Sequence, residues 1–532
     1  MGRRDRTVYV ALVTIGLVLT AAFAAVWFRP SNLPHNFHGL GHVDDIVLFG
    51  VVTFVVWHQI VMQLLLWLTA DTMRRPAPME PGSPYSVAFI TTFVPGSEGC
   101  ELLHRALPAM VDADYPHDTW LLDEGHSPEA RRICRTYGVR YFTRHGVTYY
   151  NTAGGRFPHR TKGGNHNAWY DAYGCTYDIV AQIDTDFICR RDFLTKTIGY
   201  FDDPDVAFVG TPQVYGNTRD SNVARGAAQQ LYGFYGPIMQ GMSGIDSALM
   251  IGANHVVRTA ALREIGLYAG HLTEDLLTGM TLHAHQWKSV YVPEILAVGE
   301  GPATWADYFA QQMRWAHGCM DILFRHSPHL LPQMTNRRRF RYLLLQQHYF
   351  SGLALGLGVV LLMVYFVTGF AATTLPIVQL LAFFLPLVVW QVVIAGWLQR
   401  FNVDPARERG FLLFGKIASI AAAPIYLMAL LGVLRGRHLV FRVTPKGRVE
   451  SKHRDPPGLF RPHIVLGSLT AVGIVVGTAR HHHAAILVFW AALNTLVMWS
   501  IVIMAKLGRQ APPASGEPEP EPEALAPMVG RL

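Results

Sequence analysis

Residues 7–28 and 46–70 contain no Asp, Glu, Lys or Arg, and each run is long enough to cross a bilayer as a helix. A hydrocarbon core of ~30 Å takes about 20 helical residues. No feature constrains the fold more, because a backbone in lipid must satisfy its own hydrogen bonds. A third charge-free block, 343–399, holds two spans with a break near Gly369 to Pro376, and 463–479 and 484–505 supply two more. One charge at a helix centre costs about 2.5–3.5 kcal/mol on insertion scales, so charge-free runs of this length are membrane spans. Composition agrees: the chain is 16% charged, against about 25% for soluble domains. A disordered chain, a coiled coil and an ordinary soluble enzyme are excluded.

The flanks give the orientation. Arg3, Arg4 and Arg6 precede the first span, Arg74 and Arg75 follow the second, Arg337, Arg338, Arg339 and Arg341 precede the third, and Arg400, Arg407 and Arg409 follow the fourth. All belong inside by the positive-inside rule, which accounts for the net charge of +7 without a nucleic-acid partner. Ala22-Phe23-Ala24 offers a signal-peptide alternative for the first run, whose length favours an anchor. Segment 410–434 is apolar but carries Lys416 and Pro424 and has basic flanks on both sides, so it reads as an interfacial or re-entrant helix.

The chain therefore parses into two N-terminal transmembrane helices (1–70), a cytoplasmic domain ending in interfacial helices (71–342), two spans (343–399), an interfacial helix and loop (400–461) and two spans (462–506). A Pro/Glu tail (507–532) is expected to be disordered. This describes a multi-pass protein of the cell membrane with six spans and the lipid bilayer as a partner. Five cysteines with no CxxC pair suit a reducing compartment. The external groups His35, His38, His42 and His481-His482-His483 read as polar turn residues.

Residues 84–300 follow a different pattern. Val87–Phe93, Thr119–Leu122, Val139–Phe142, Ile179–Ile183, Val206–Val209 and Ser289–Val292 predict strands, and 98–113, 127–137, 220–240 and 273–286 predict helices. That alternation implies an α/β domain with a mostly parallel sheet. Ligands in such sheets bind at the carboxyl ends of the strands, so acids placed there carry the interest. Asp123 closes one strand, Asp184-Thr-Asp186 closes another, and Thr273-Glu274-Asp275 opens a helix. Each alone has a plain structural reading as a turn residue or a helix cap. Together they point to chemistry. Two acids one residue apart can hold a hard divalent cation through oxygen, and a third carboxylate can serve as a base. Gln311-Gln-Met-Arg314-Trp315 adds an Arg for phosphate and an indole for stacking. At a helix N-terminus the dipole is expected to keep the pKa of Asp275 low. There is no Walker loop, and Gly356-Leu-Gly358 lies inside a span, where small residues serve helix packing.

The order Asp123, Asp184-Thr-Asp186, Thr273-Glu274-Asp275, Gln311-x-x-Arg314-Trp315 resembles the D, DxD, TED, QxxRW series of membrane-embedded family 2 glycosyltransferases, the cellulose synthases and their relatives. Arg160-Thr-Lys162-Gly-Gly-Asn165 resembles the KAGN segment of that branch, and Phe208-Val-Gly-Thr211-Pro212-Gln213 its FFxTPQ. Phe441-Arg-Val443-Thr444-Pro-Lys446-Gly447 resembles its FxVTxK gating loop. The first strand departs from the pattern: it ends in Thr91-Thr92-Phe93-Val94-Pro95-Gly-Ser-Glu98 rather than P-T/S-Y-N-E, so nucleotide contacts there are not carried over.

The resemblance implies an α/β GT-A-type glycosyltransferase domain inserted between transmembrane helices. It implies Mg²⁺ or Mn²⁺ held by Asp184 and Asp186, uracil contact by Asp123, and pyrophosphate contact by Lys162, Asp184, Gln311 and Arg314. Asp275 would be the general base, with Glu274 and Trp315 at the acceptor and Phe441, Val443, Thr444 and Lys446 closing over the nucleotide. The implied reaction is inverting, processive transfer of a hexose, glucose favoured, from a UDP-sugar to a β-linked polysaccharide exported through the membrane, with accessory export proteins as further partners. Two other readings share these features: transfer of one sugar to a lipid carrier, and a transporter with a nucleotide-binding domain. Charge-free spans count against the transporter.

Overall fold

The computed structural model describes residues 1–36, 43–437, 439, 455–456 and 458–507. Among these, seven helices are long and apolar enough to cross a membrane: Arg3–Trp27, Val43–Asp71, Asn336–Thr368, Ile377–Phe401, Leu413–Leu434, Arg461–Ala479 and Ala485–Lys506. Two precede the α/β domain and five follow it, as expected of a polytopic membrane protein.

Leu413–Leu434 differs from the rest. Half of its apolar window is buried inside the protein, against 17–28% for the other six. It lies against the α/β domain: a Cβ on Gly226 would sit 2.8 Å from the Phe414 carbonyl oxygen, and Gly415 N–H donates to Gln229 Oε1 at 3.0 Å. Tyr426 Oη donates to Gln312 Oε1 at 2.5 Å. By length and composition this helix counts with the spans; by burial it sides with the domain.

The domain contains ten strands: β1 (Val87–Phe93), β2 (Asp118–Asp123), β3 (Arg140–Phe142), β4 (Ile179–Asp184), β5 (Ile188–Cys189), β6 (Val206–Gly210), β7 (Val214–Tyr215), β8 (Asn254–Arg258), β9 (Lys288–Tyr291) and β10 (Ala297–Gly299). Seven form the main sheet in the order β3-β2-β1-β4-β8-β6-β9, and β5-β10-β7 form a small second sheet. In the main sheet β8 alone runs against its neighbours. The strands are buried on both faces, by Phe89, Leu121 and Ile183 on one side and Ile90, Leu122 and Val180 on the other. That explains their nearly unbroken apolar runs.

Topology places the site. From β1 the chain moves outward to β2 and β3, then returns to β4 on the opposite side of β1. Crevices at such reversals receive ligands in open α/β sheets. Register aligns the strand ends: Phe93 pairs with Asp123 and Thr92 with Asp184. Two of the acidic motifs therefore end their strands on either side of β1.

Candidate active site

A cavity of about 930 Å³ opens at these strand ends, its wall including Lys162, Asp184, Glu274, Asp275, Arg314 and Trp315. Three helices and the end of β4 deliver these side chains. Thr161 caps the helix Lys162–Ala172 by accepting from Gly164 N–H. Thr304 caps Trp305–Asp321 by accepting from Asp307 N–H. The third helix, Glu274–Ala284, begins on the acids themselves. Gln311, Arg314 and Trp315 are spaced i, i+3, i+4 and so share one helix face, which is the face on the cavity. Gln311 Nε2 donates to Tyr215 Oη at 3.1 Å, as does Gln213 Nε2 at 3.0 Å.

One hydrogen-bonded chain links the motifs. Lys162 Nζ donates to the Asp184 carboxylate and to the Gly252 carbonyl at 2.6 Å. Gly252 N–H in turn donates to Asp275 Oδ2 at 2.8 Å, while Asp275 Oδ1 accepts from Leu276 N–H at 2.8 Å. Gly252 was absent from the sequence-derived candidates. A Cβ there would lie 2.8 Å from Asp275 Oδ2, so glycine lets the carboxylate keep this position. The helix of Trp315 is seated as closely: a Cβ on Gly318 would come within 2.6 Å of Thr273.

Asp123 is fully buried. Its Oδ1 accepts from Gly125 N–H at 2.8 Å, and its Oδ2 from Ser127 N–H at 2.5 Å and Tyr141 Oη at 2.8 Å. The carboxylate orders its own loop, and Glu124 and Gly125 present that loop to the cavity. Behind Glu124 stands Arg144, 0% exposed, which the sequence reading missed. Its Nε and Nη2 donate to Glu124 at 2.9 and 2.7 Å. Its remaining donors hold the carbonyls of Tyr150, Pro158 and Thr161, tying the loop after β2 to the segment that delivers Lys162.

Asp184 reaches the cavity, whereas Asp186 is 5% exposed. Both offer only oxygen, the donor type that suits Mg²⁺ or Mn²⁺. Thr273 is buried and Asn165 lies on the cavity wall, its Nδ2 donating to the Leu122 carbonyl at 3.3 Å.

The expected low pKa of Asp275 is corrected by its surroundings. Burial is the largest influence and raises it, ahead of the lowering by Leu276 N–H, Lys162, Gly252 N–H and Arg314. Glu274 is raised to about 7 by burial and then by the neighbouring Asp275, with Lys162 pulling the other way. Desolvation outweighs the helix terminus here.

Phe441, Val443, Thr444 and Lys446 lie outside the described residues. The residues flanking that stretch are both tied to the helix of Trp315. His317 Nε2 lies 2.9 Å from the Arg437 carbonyl oxygen, and Asp455 Oδ1 accepts from Ala306 N–H at 3.1 Å.

The model of the Glycosyl transferase family group 2 matches residues 179–394. The cellulose synthase catalytic subunit (UDP-forming) of Pseudomonas fluorescens strain SBW25 is 24% identical over 95% of this chain and 68% of that protein. Its counterpart of the same name in Xanthomonas axonopodis pv. citri strain 306 is 26% identical over 64% of this chain and 46% of its own length. Among solved structures, the mannosyltransferase PcManGT from Pyrobaculum calidifontis in complex with GDP-Man and Mn²⁺ matches with a TM-score of 0.45 and 17% identity, over 68% of this chain and 100% of that one. The family match begins on the strand that ends in Asp184 and covers the helices of Asp275 and Trp315; residues 179–394 thus match family 2 glycosyltransferases, and the chain as a whole is similar to cellulose synthase catalytic subunits.

Proposed function

We propose that this protein transfers a hexose, glucose favoured, from a UDP-sugar to the end of a β-linked polysaccharide, with inversion and processively, on the cytoplasmic side of the membrane. The observation that carries this reading is the shared cavity of about 930 Å³, whose lining brings Asp275 and Trp315 together with Asp184 and Lys162. Asp275 takes the proton from the acceptor hydroxyl as its oxygen attacks the anomeric carbon. Attack opposite the departing diphosphate turns an α-linked donor into a β-glycosidic bond. Lys162 and Arg314 oppose the charge that develops on the diphosphate. Asp184 and Asp186 would hold Mg²⁺ or Mn²⁺, which supplies further charge neutralisation on the leaving group.

Trp315 gives the terminal sugar a flat stacking face. Both segments flanking residues 438–454 are fixed to the helix that carries it, and by the resemblance Phe441, Val443, Thr444 and Lys446 would close over the donor. The helices after the domain then receive the lengthening product for export. Incubating membranes that contain the full-length protein with radiolabelled UDP-glucose tests the reading through product length. A polymer is expected; one sugar on a chloroform-soluble lipid would replace processive synthesis with lipid-carrier transfer, and no transfer from any UDP-hexose would reject the donor class.

A further inference from the structure

We propose that His271, Asp321 and His326 form a second metal site, for a transition-metal ion of the Zn²⁺ class, which pins the loop before Asp275 to the helix carrying Arg314 and Trp315. One ligand atom from each residue lies within 4.8 Å of the other two, and all three residues are partly buried. His271 Nε2 is 3.2 Å from Asp321 Oδ2. Two ligands bonded to a tetrahedral ion at 2.0–2.1 Å stand about 3.3 Å apart, so one edge of the coordination figure is already set. The His326 ring meets that of His271 edge-on, with centroids 5.6 Å apart and planes at 80°.

The backbone between Asp321 and His326 is the second observation. Residues five apart on an α-helix stand about 140° apart around the axis at 3.6 residues per turn. Here Ile322–His326 forms a π-helical turn, wider than an α-turn, and ligand atoms of Asp321 and His326 lie within 4.8 Å of each other. Such turns are rare and gather at functional sites. The outer contacts also fit. Thr273 N–H donates to His271 Nδ1 at 3.1 Å, and Thr273 Oγ1 lies 3.1 Å from the same nitrogen, which holds the ring with Nε2 toward Asp321. Arg325 takes Asp321 Oδ1 at 3.2 Å, leaving Oδ2 turned toward His271.

Two imidazoles and one carboxylate select differently from Asp184 and Asp186: imidazole favours Zn, Cu, Fe and Ni, whereas carboxylate oxygen alone favours Mg and Mn. The site is therefore separable from the donor cavity, and its existence does not depend on which sugar is transferred. Its role is positional, because Thr273 begins two residues after His271 and leads into Glu274 and Asp275.

The test uses untagged full-length protein in detergent, stripped with a chelator and titrated with Zn²⁺ in excess Mg²⁺. Parallel titration with Co²⁺ reads the visible bands of a low-coordinate site. One Zn²⁺ per chain is expected, with affinity at least about tenfold weaker in His326→Gln and the Co²⁺ bands lost. That variant keeps the His271–Asp321 contact, and metal-free thermal unfolding matching wild type verifies its folding. A readout on the wild type covers the case of an unstable variant: Zn²⁺ should protect His271 and His326 from diethyl pyrocarbonate. No Zn²⁺ uptake, equal affinity in His326→Gln, or equal modification with and without Zn²⁺ would each overturn the site and leave a plain His–Asp hydrogen bond.

Discussion

The two walls of the cavity carry the same acidic residue types in opposite settings. On the sheet side the carboxylates are matched: Asp184 with Lys162, Glu124 with the buried Arg144, and Asp123 with two N–H groups and Tyr141. On the helix side Glu274 and Asp275 stand next to each other, half-buried on the cavity, and both hold a proton to higher pH than ordinary carboxyl groups. Matched charges hold geometry, whereas a crowded pair is suited to handling a proton. Environments that separate acids in this way suit them to different tasks, and the proposed function gives donor binding to one wall and proton transfer to the other.

Asp275→Asn attacks the comparison where it is strongest. The amide keeps the size of the side chain but cannot take the acceptor's proton. Transfer is expected to fall at least ~10²-fold, while UDP affinity, which rests on the sheet wall, changes little. Near-normal transfer by the purified variant would remove the helix wall from the chemistry.

Lys162→Met acts on the other wall. Losing a charge-assisted contact of about 1.5–3 kcal/mol should weaken UDP binding by about 10–100-fold. Turnover at saturating donor should fall less than affinity. Calorimetric titration with UDP reads this directly, and unchanged affinity would show that Lys162 serves only the protein's own network.

Between the walls stands Gly252. An alanine there would bring Cβ to 2.8 Å from Asp275 Oδ2 and 3.3 Å from its Cγ, so the carboxylate must shift while the N–H contact remains available. About a tenfold loss of turnover with unaltered UDP affinity is expected, since small misplacements near reacting atoms are costly. Wild-type turnover in Gly252→Ala would mean that Asp275 tolerates movement.

These particulars also mark where the sequence was readable. Strands β1, β2, β4 and β6 declared themselves through continuous buried apolar runs, and the acids at their ends followed. β8 did not. Asn254 and His255 occupy its first positions, buried, with Asn254 Nδ2 donating to the Pro212 carbonyl and the His255 ring bonded to the Ile251 carbonyl and Tyr268, so a central strand reads as polar. Arg144 and Gly252 were invisible for a related reason: each works partly through backbone groups outside its own element, and neither spacing nor composition marks a backbone partner. The pKa of Asp275 was misjudged because a helix start is legible in sequence, whereas the burial that outweighs it depends on the helix Trp305–Asp321 closing over Thr273.

The smallest expected effect is also the one that joins the two walls. Both folded-state pKa values are raised: lowering the pH through about 7 protonates Glu274, and Asp275, raised by burial, loses its ionised form at higher pH than an ordinary carboxylate would. Turnover at saturating donor should therefore rise several-fold from pH 6 to pH 8, well above the ordinary carboxyl range near ~4. Stability runs the opposite way. A carboxyl with a raised folded-state pKa contributes stability at low pH and loses it as pH rises through that pKa, so mild acidification should slow the enzyme without lowering its melting temperature. Lys162 pulls both carboxyls down. Lys162→Met should accordingly move the midpoint of the turnover profile to higher pH, beyond its effect on UDP affinity. A flat profile between pH 6 and 8 would separate turnover from the helix-wall carboxyls, and a midpoint unmoved by Lys162→Met would show that the walls act independently.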